Sequence, residues 1–282
     1  MSFFNMSELQ KINLLAQYWT SYQNVLKMLR TRGYLIPDHL CKTFAEYRQL
    51  YDQCFDEQLV LHPISFIVSK DVRKPLTHDF VLPNINHCIG TLLELHEDSE
   101  GQCLQICNET LARDVLKIQD LEIVRCEPHE VVVLFCRKWN GALGIEPIMQ
   151  LLKYQMLLRC MHLILIINNE NDPENVLTSL PCKLLQTRRY PEHTASGAIV
   201  EWFSLLQTAS DITKTVYHTR FEKYAPERAA QWLKQHNLRA EQLETIRVTD
   251  PIALYHDHRV GDFIEIHDYD CTSSHVIIGT DK

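Results

Sequence analysis

The sequence predicts two domains: an α/β N-terminal domain, a mixed sheet with flanking helices, over residues 1–211, and a small α+β C-terminal domain over residues 212–282. Three observations lead there. Residues 7–32 repeat Leu15, Trp19, Tyr22, Leu26 and Leu29 at three- and four-residue spacing, the stripe of an amphipathic helix. Residues 131–136 and 163–167 are continuous apolar runs of strand length with a helical pattern between them, which reads as two buried parallel strands joined by a right-handed crossover. Residues 225–266 alternate short helical, extended and turn signals closely enough to make a module of their own.

The chain is long enough, at 282 residues, for two domains with real cores. A hydrophobic fraction of 45% and a charged fraction of 23%, without a repeat or low-complexity tract, describe a globular protein. The net charge of -8 supplies no global field for a polyanion, so any DNA contact is local or made inside a larger basic assembly. The first residues lack a cationic stretch followed by an apolar core, which argues against a signal peptide, and no apolar run approaches the ~20 residues of a membrane span. No membrane partner is expected. The 10 cysteines form no C-x-x-C pair, against a zinc ribbon or a redox motif. Cys103 and Cys107, with His87 and His96 upstream, either hold a metal or are plain thiols on a loop.

In chain order, Gly33 ends the first helix, Tyr34, Leu35 and Ile36 follow, and Pro37 with Asp38 opens a second helix bearing Leu40, Phe44, Tyr47 and Tyr51. Residues 61–68 read as a strand. Residues 69–128 are less regular, with an acidic patch at 94–100 and an apolar-periodic piece at 111–118. After the strand at 131–136, Asn140 and Gly141 make a turn, and Gly144 and Ile145 lead into a helix with Ile148, Met149, Leu152 and Met156. The strand at 163–167 runs into a polar loop, Asn168 to Pro173, and Lys183, Arg188 and Arg189 fall on the next strand and loop. Ser196 is placed to cap a helix over Ile199, Trp202, Phe203 and Leu206.

In the last module Pro226 sits at a first helical position with Glu227 behind it, Ala229, Ala230 and Leu233 repeat at helical spacing, and Asn237 is a helix stop. Leu243, Ile246 and Val248 shift toward period two, Asp250 and Pro251 turn the chain, and Gly261 supplies positive φ ahead of Phe263, Ile264 and Ile266.

The run Leu233, Leu238, Arg239, Glu241, Gln242, Leu243, Ile246, Asp250, Pro251, Ala253, Tyr255, Gly261 and Ile266 resembles, without a gap, the assembly domain of the fifth common subunit of eukaryotic RNA polymerases; the archaeal homologue consists of that domain alone. The resemblance extends upstream through Arg32 to Ile36, the end of the family's first helix, and through residues 143–148 and 163–167, the strand-helix-strand of its jaw domain. It covers about 220 of the 282 residues, and it makes residues 69–128 an insertion. It implies a nuclease-like jaw domain followed by the assembly domain, and a non-catalytic subunit without cofactors. Such a subunit docks on the largest polymerase subunit through Leu238, Arg239, Gln242, Leu243, Ile246, Asp250, Pro251, Tyr255, Gly261 and Ile266. The jaw would lie beside downstream duplex DNA, with Asn171 and Pro173 in the approaching loop and Lys183, Arg188 and Arg189 as the basic residues of that half. The implied location is the nucleus, the nucleolus for a copy dedicated to polymerase I, or the cytoplasm or virion for the copy of a large DNA virus.

The sequence departs from the family where charge is involved. Glu244 and Thr245 replace Pro-Arg, Leu254 replaces an Arg, Arg259 alone remains of a basic turn, Thr219, Arg220 and Phe221 replace Pro-Glu-His, and the basic tail becomes residues 267–279 with almost no positive charge. A metal-dependent nuclease of restriction type needs an acid two residues before a lysine on one strand face, and no lysine in this chain has one. His256 and His258, at i and i+2 with His267, Asp268 and His275 nearby, suit a metal if the segment is extended, or a polar turn otherwise; no metal site is assigned. The alternative to a polymerase subunit is a stand-alone nucleic-acid or protein-binding factor on a nuclease-like fold.

Overall fold

Helix α1, Glu8–Thr31, buries most of the predicted stripe, with Leu15, Tyr22, Leu26 and Leu29 each at 5% exposure or less and Trp19 half-buried. In the computed structural model the described residues are 8–52, 64–71, 129–139, 143–157, 160–169, 177–188, 198–212, 220–267 and 273–279. The expected acidic patch, the piece at 111–118, the cysteine and histidine group at 87–107, the Asn140–Gly141 turn, Asn171, Pro173, Arg189 and Asp268 lie outside them. The chain divides into two units, Met1–Gln23 with Gly33–Ala209, and Asn24–Arg32 with Ser210–Lys282.

In the first unit Gly33 ends α1 at φ 85, the left-handed conformation that favours glycine. The second helix begins later than the sequence suggests. Pro37 starts only a 3-10 turn, Asp38–Leu40, and α2 is Phe44–Asp52. Its start is fixed by Thr43 and Glu46, whose side chains exchange hydrogen bonds with each other's backbone N–H, a capping box. The Thr43 N–H and hydroxyl, both donating to Glu46 Oε2, hold the Glu46 carboxyl below its ordinary pKa.

A four-stranded sheet follows, from β1 (Phe66–Ser69), β2 (Glu130–Trp139), β3 (His162–Asn169) and β4 (Ile199–Ser204), in that spatial order. β1 runs antiparallel to β2, while β2, β3 and β4 are parallel. The links are α3, Ile145–Leu157, and α4, Ser179–Arg188, so the expected strand-helix-strand is present. Val131 to Cys136 and Leu163 to Ile167 are fully buried, as strands covered on both faces must be. Their core takes in Leu143, Ile148, Leu151, Leu152 and Leu185.

Two expectations fail here. Lys183 and Arg188 were expected on a strand and loop and lie on α4, with Pro181 in the first turn, where its missing N–H leaves no hydrogen bond broken. The helix expected over Ile199, Trp202 and Phe203 is strand β4, and only Leu205–Ala209 is helical, as α5. Ser204 Oγ accepts from the Gln207 N–H at 3.1 Å and Gln207 Oε1 accepts from the Ser204 N–H at 2.9 Å, a second capping box that starts α5 after the strand.

The second unit holds β5 (Arg220–Lys223), α6 (Pro226–Gln235), a 3-10 turn (Ala240–Gln242), β6 (Glu244–Arg247), α7 (Pro251–Tyr255), β7 (Phe263–His267) and β8 (Ser273–Gly279). Its sheet runs β5-β7-β8-β6. β7 is antiparallel to both neighbours and β6 is parallel to β8. The stretch at 267–279, which sequence treats as a tail, therefore ends one inner strand and forms the other. Tyr224, Ala229 and Phe263 make a small core with Trp232, Leu233, Leu243 and Ile277 against it.

Candidate functional site

The residues expected at the partner-binding face begin where α6 stops. Asn237 takes φ 53, its N–H donates to the Lys234 carbonyl, and the Leu238 N–H reaches back to the Leu233 carbonyl at 3.0 Å. This is a Schellman ending, and it turns Leu238 back beside Leu233. Gln242 Oε1 then accepts from the Arg239 N–H at 2.8 Å, closing the 3-10 turn that leads into β6. Arg239 and Gln242 are exposed, whereas Leu238, Leu243 and Ile246 are half-buried.

Asp250 and Pro251 do more than turn the chain. Asp250 Oδ1 accepts from the Ile252 N–H at 2.8 Å, and Pro251 occupies the first position of α7, a cap and a pre-set φ in adjacent residues. Tyr255 is buried at the other end of that helix. There the guanidinium of Arg32, from the last turns of α1, donates to the Tyr255 carbonyl from Nε at 3.1 Å and to the Leu254 carbonyl from Nη2 at 2.6 Å. A cation on the terminal carbonyls of a helix satisfies groups the helix leaves open and meets the negative end of its dipole. Gly261, at φ 89, donates to the Ile278 carbonyl at 2.9 Å, and Ile266 is paired with Phe221 on β5 and Ser274 on β8. Thus Gln242, Asp250, Tyr255 and Gly261 each have a local structural task. Arg239, Gln242 and Pro251, with Glu244, Thr245 and Arg247 of β6, are exposed on this face.

The histidines are not arranged as an extended segment would place them. His256 caps the end of α7 and Asp257 takes φ 56, so His256 and His258 lie in a turn. Their rings stack with centroids 5.4 Å apart. His258 is buried, neither ring nitrogen has a hydrogen-bond partner among the described residues, and burial lowers its pKa against the opposing pull of Asp262.

A different cluster forms across the sheet, and sequence reasoning did not assemble it. Tyr224 donates to Glu265 Oε2 at 2.7 Å, Arg228 Nη1 lies 2.5 Å from Glu222 Oε1, and His267 Nε2 lies 3.5 Å from Glu265 Oε2 and 3.9 Å from Glu222 Oε2. Trp232 stacks on His275 at 4.0 Å and on His236 at 4.1 Å. The only signal in the sequence was the proximity of His267 and His275; Glu222 is brought in by strand pairing alone.

In the first unit, Lys183 is exposed on α4 and Arg188 ends that helix. Sequence reasoning also missed a buried polar chain there. Tyr34 Oη is 3.0 Å from His162 Nδ1, and His162 Nε2 is 2.6 Å from Glu201 Oε1. It links the segment after α1 to β3 and β4, and it satisfies groups that would be costly to bury alone. The free thiol of Cys136, at the end of the buried run of β2, has its pKa pushed up to about 12 by burial, which disfavours the thiolate that thiol chemistry needs.

Residues 210–278 match the family model of the RNA polymerase Rpb5 C-terminal domain. No curated protein matches the chain significantly. The matched segment begins just after α5 and covers β5, β6, β7 and all but the last residue of β8. It supports an Rpb5-like, non-catalytic RNA polymerase subunit. Helices α6 and α7, the 3-10 turn Ala240–Gln242 and the Gly261 turn all lie inside the match.

Proposed function

We propose that this protein is a non-catalytic subunit of a DNA-dependent RNA polymerase, and that the domain over residues 212–282 docks on the largest subunit. The match over 210–278 carries this reading. The docking face is the one around β6, an edge strand of its sheet, with Arg239, Gln242, Glu244, Thr245, Arg247 and Pro251 exposed there. An edge strand offers a ladder to another chain. Glu244 and Thr245 stand where the resembled family carries Pro-Arg, so the facing surface on this protein's partner differs in charge from the usual one. The N-terminal domain, residues 1–211, serves as the jaw near downstream duplex DNA, approached by the loop of Asn171 and Pro173, with Lys183, Arg188 and Arg189 on the same half.

Altered charge on an otherwise retained framework suits a copy dedicated to one polymerase rather than shared by several. Such a copy works in the polymerase of ribosomal RNA genes, in the nucleolus, or in the polymerase of a large DNA virus, in the cytoplasm or virion. Affinity purification of the tagged chain tests the main reading. Recovery of the two large polymerase subunits supports it, and their absence overturns it. Genome occupancy tests the finer one: signal confined to ribosomal RNA genes supports a dedicated nucleolar copy, and signal spread over protein-coding genes refutes it.

A further inference from the structure

Glu222 of β5, Glu265 of β7 and His275 of β8 form a row across three adjacent strands, since Glu222 is the register partner of Glu265 and Glu265 that of His275. Register partners project on one face, and His267, two residues beyond Glu265, shares it. Two carboxylates directly opposite each other repel. The imidazole between them is too far away for hydrogen bonds, because His267 Nε2 lies 3.5 Å and 3.9 Å from the nearest carboxylate oxygens. Those separations resemble the edge of a ligand tetrahedron, about 3.4 Å for N and O donors about 2.1 Å from an ion. One donor atom from each of Glu222, Glu265 and His267 lies within 4.8 Å of the others.

The surroundings have the form of a ligand shell's supports. Arg228 holds Glu222 Oε1 and leaves Oε2 toward His267, while the Tyr224 hydroxyl holds Glu265; outer partners of this kind orient metal-binding carboxylates. A separate observation points the same way. Among the described residues His275 Nε2 is buried without a hydrogen-bond partner, 3.8 Å from Glu265 Oε1, on a ring held by Trp232.

We propose that Glu222, Glu265 and His267 bind a divalent first-row transition cation, with Zn2+ the best fit and His275 alongside as a further donor. Imidazole with carboxylate selects such an ion over Mg2+ or Ca2+. The ion neutralises the facing carboxylates and ties edge strand β5 to β7.

The test uses the full chain after chelator treatment. Titration with Co2+ should give weak visible d–d bands that saturate at one equivalent and are displaced by Zn2+. His267→Gln and Glu265→Gln should each weaken binding at least tenfold, and His256→Gln, at the neighbouring turn, should leave it unchanged. In the unmutated protein, Zn2+ should also slow amide exchange in residues 220–223, a readout that does not depend on any variant folding. Absence of saturation, intense near-ultraviolet thiolate bands showing that cysteines hold the ion, wild-type binding by His267→Gln, or unchanged exchange in β5 would each overturn the proposal.

Discussion

Replacing Arg32 with alanine removes both donors from the end of α7. The two bonds, at 3.1 Å to the Tyr255 carbonyl and 2.6 Å to the Leu254 carbonyl, have a charged donor, and bonds of that kind contribute about 1.5–3 kcal/mol each. Arg32 is only half-buried, so water replaces part of the loss. The expected destabilisation of the second unit is about 2–4 kcal/mol, or a fall in its melting temperature of roughly 10–20 °C for a unit of this size. Arg32→Lys keeps the charge but loses the fork and should recover about half. Urea unfolding followed by hydrogen exchange in residues 250–260 reads this segment without interference from the first unit. A change under about 0.5 kcal/mol for Arg32→Ala, or equal effects of the alanine and lysine variants, would refute the argument that the guanidinium caps this helix.

Asp250→Ala removes the side-chain acceptor of the Ile252 N–H and should cost about 1 kcal/mol in chemical denaturation. Gly261→Ala meets no atom within 4 Å of the added Cβ, so its whole cost, about 1–2 kcal/mol, comes from holding φ 89; a neutral result would mean the turn rearranges. His258, buried and with its pKa lowered chiefly by burial, gives the second unit a pH dependence of definite sign. The unfolded chain binds the proton near the ordinary pKa of 6.5 and the folded chain only lower, so the stabilisation is complete above about pH 6.5 and is lost as pH falls through the folded value. Between pH 5 and 8, with chelator present, the melting temperature of the wild type should fall relative to that of His258→Phe as pH drops; a constant difference would exclude the residue as the source of the dependence.

Strands β2 and β3 were legible because an apolar run flanked by turn residues has few other readings. The misreading of β4 has a definite cause. Ile199, Trp202, Phe203 and Leu206 happen to repeat at helical spacing, yet the side chains that decide the boundary are Ser204 and Gln207, a short polar pair that starts α5. The same signal at Thr43 and Glu46 sets the true start of α2. Most of the residues proposed for docking rest on resemblance, and the sequence alone does not say that Gln242 and Asp250 are engaged with their own backbone. The Glu222, Glu265 and His267 cluster was illegible for another reason: Glu222 stands more than forty residues before the other two, and only the register of β5 against β7 brings them together.

The order of the second sheet also bears on how the protein is made. β6 emerges from the ribosome ahead of β7 and β8, yet its ladder partner among the described residues is β8, which arrives about thirty residues later. At about 5–20 residues per second, that interval lasts some seconds, during which Glu244–Arg247 has no mate within its own sheet. A nascent strand waiting for its neighbour is exposed to capture by other chains. Glu244 and Arg247, charged and solvent-facing on a four-residue strand, are the kind of residues that discourage such capture, so the strand we propose as the docking edge is also equipped to wait for its own sheet to close.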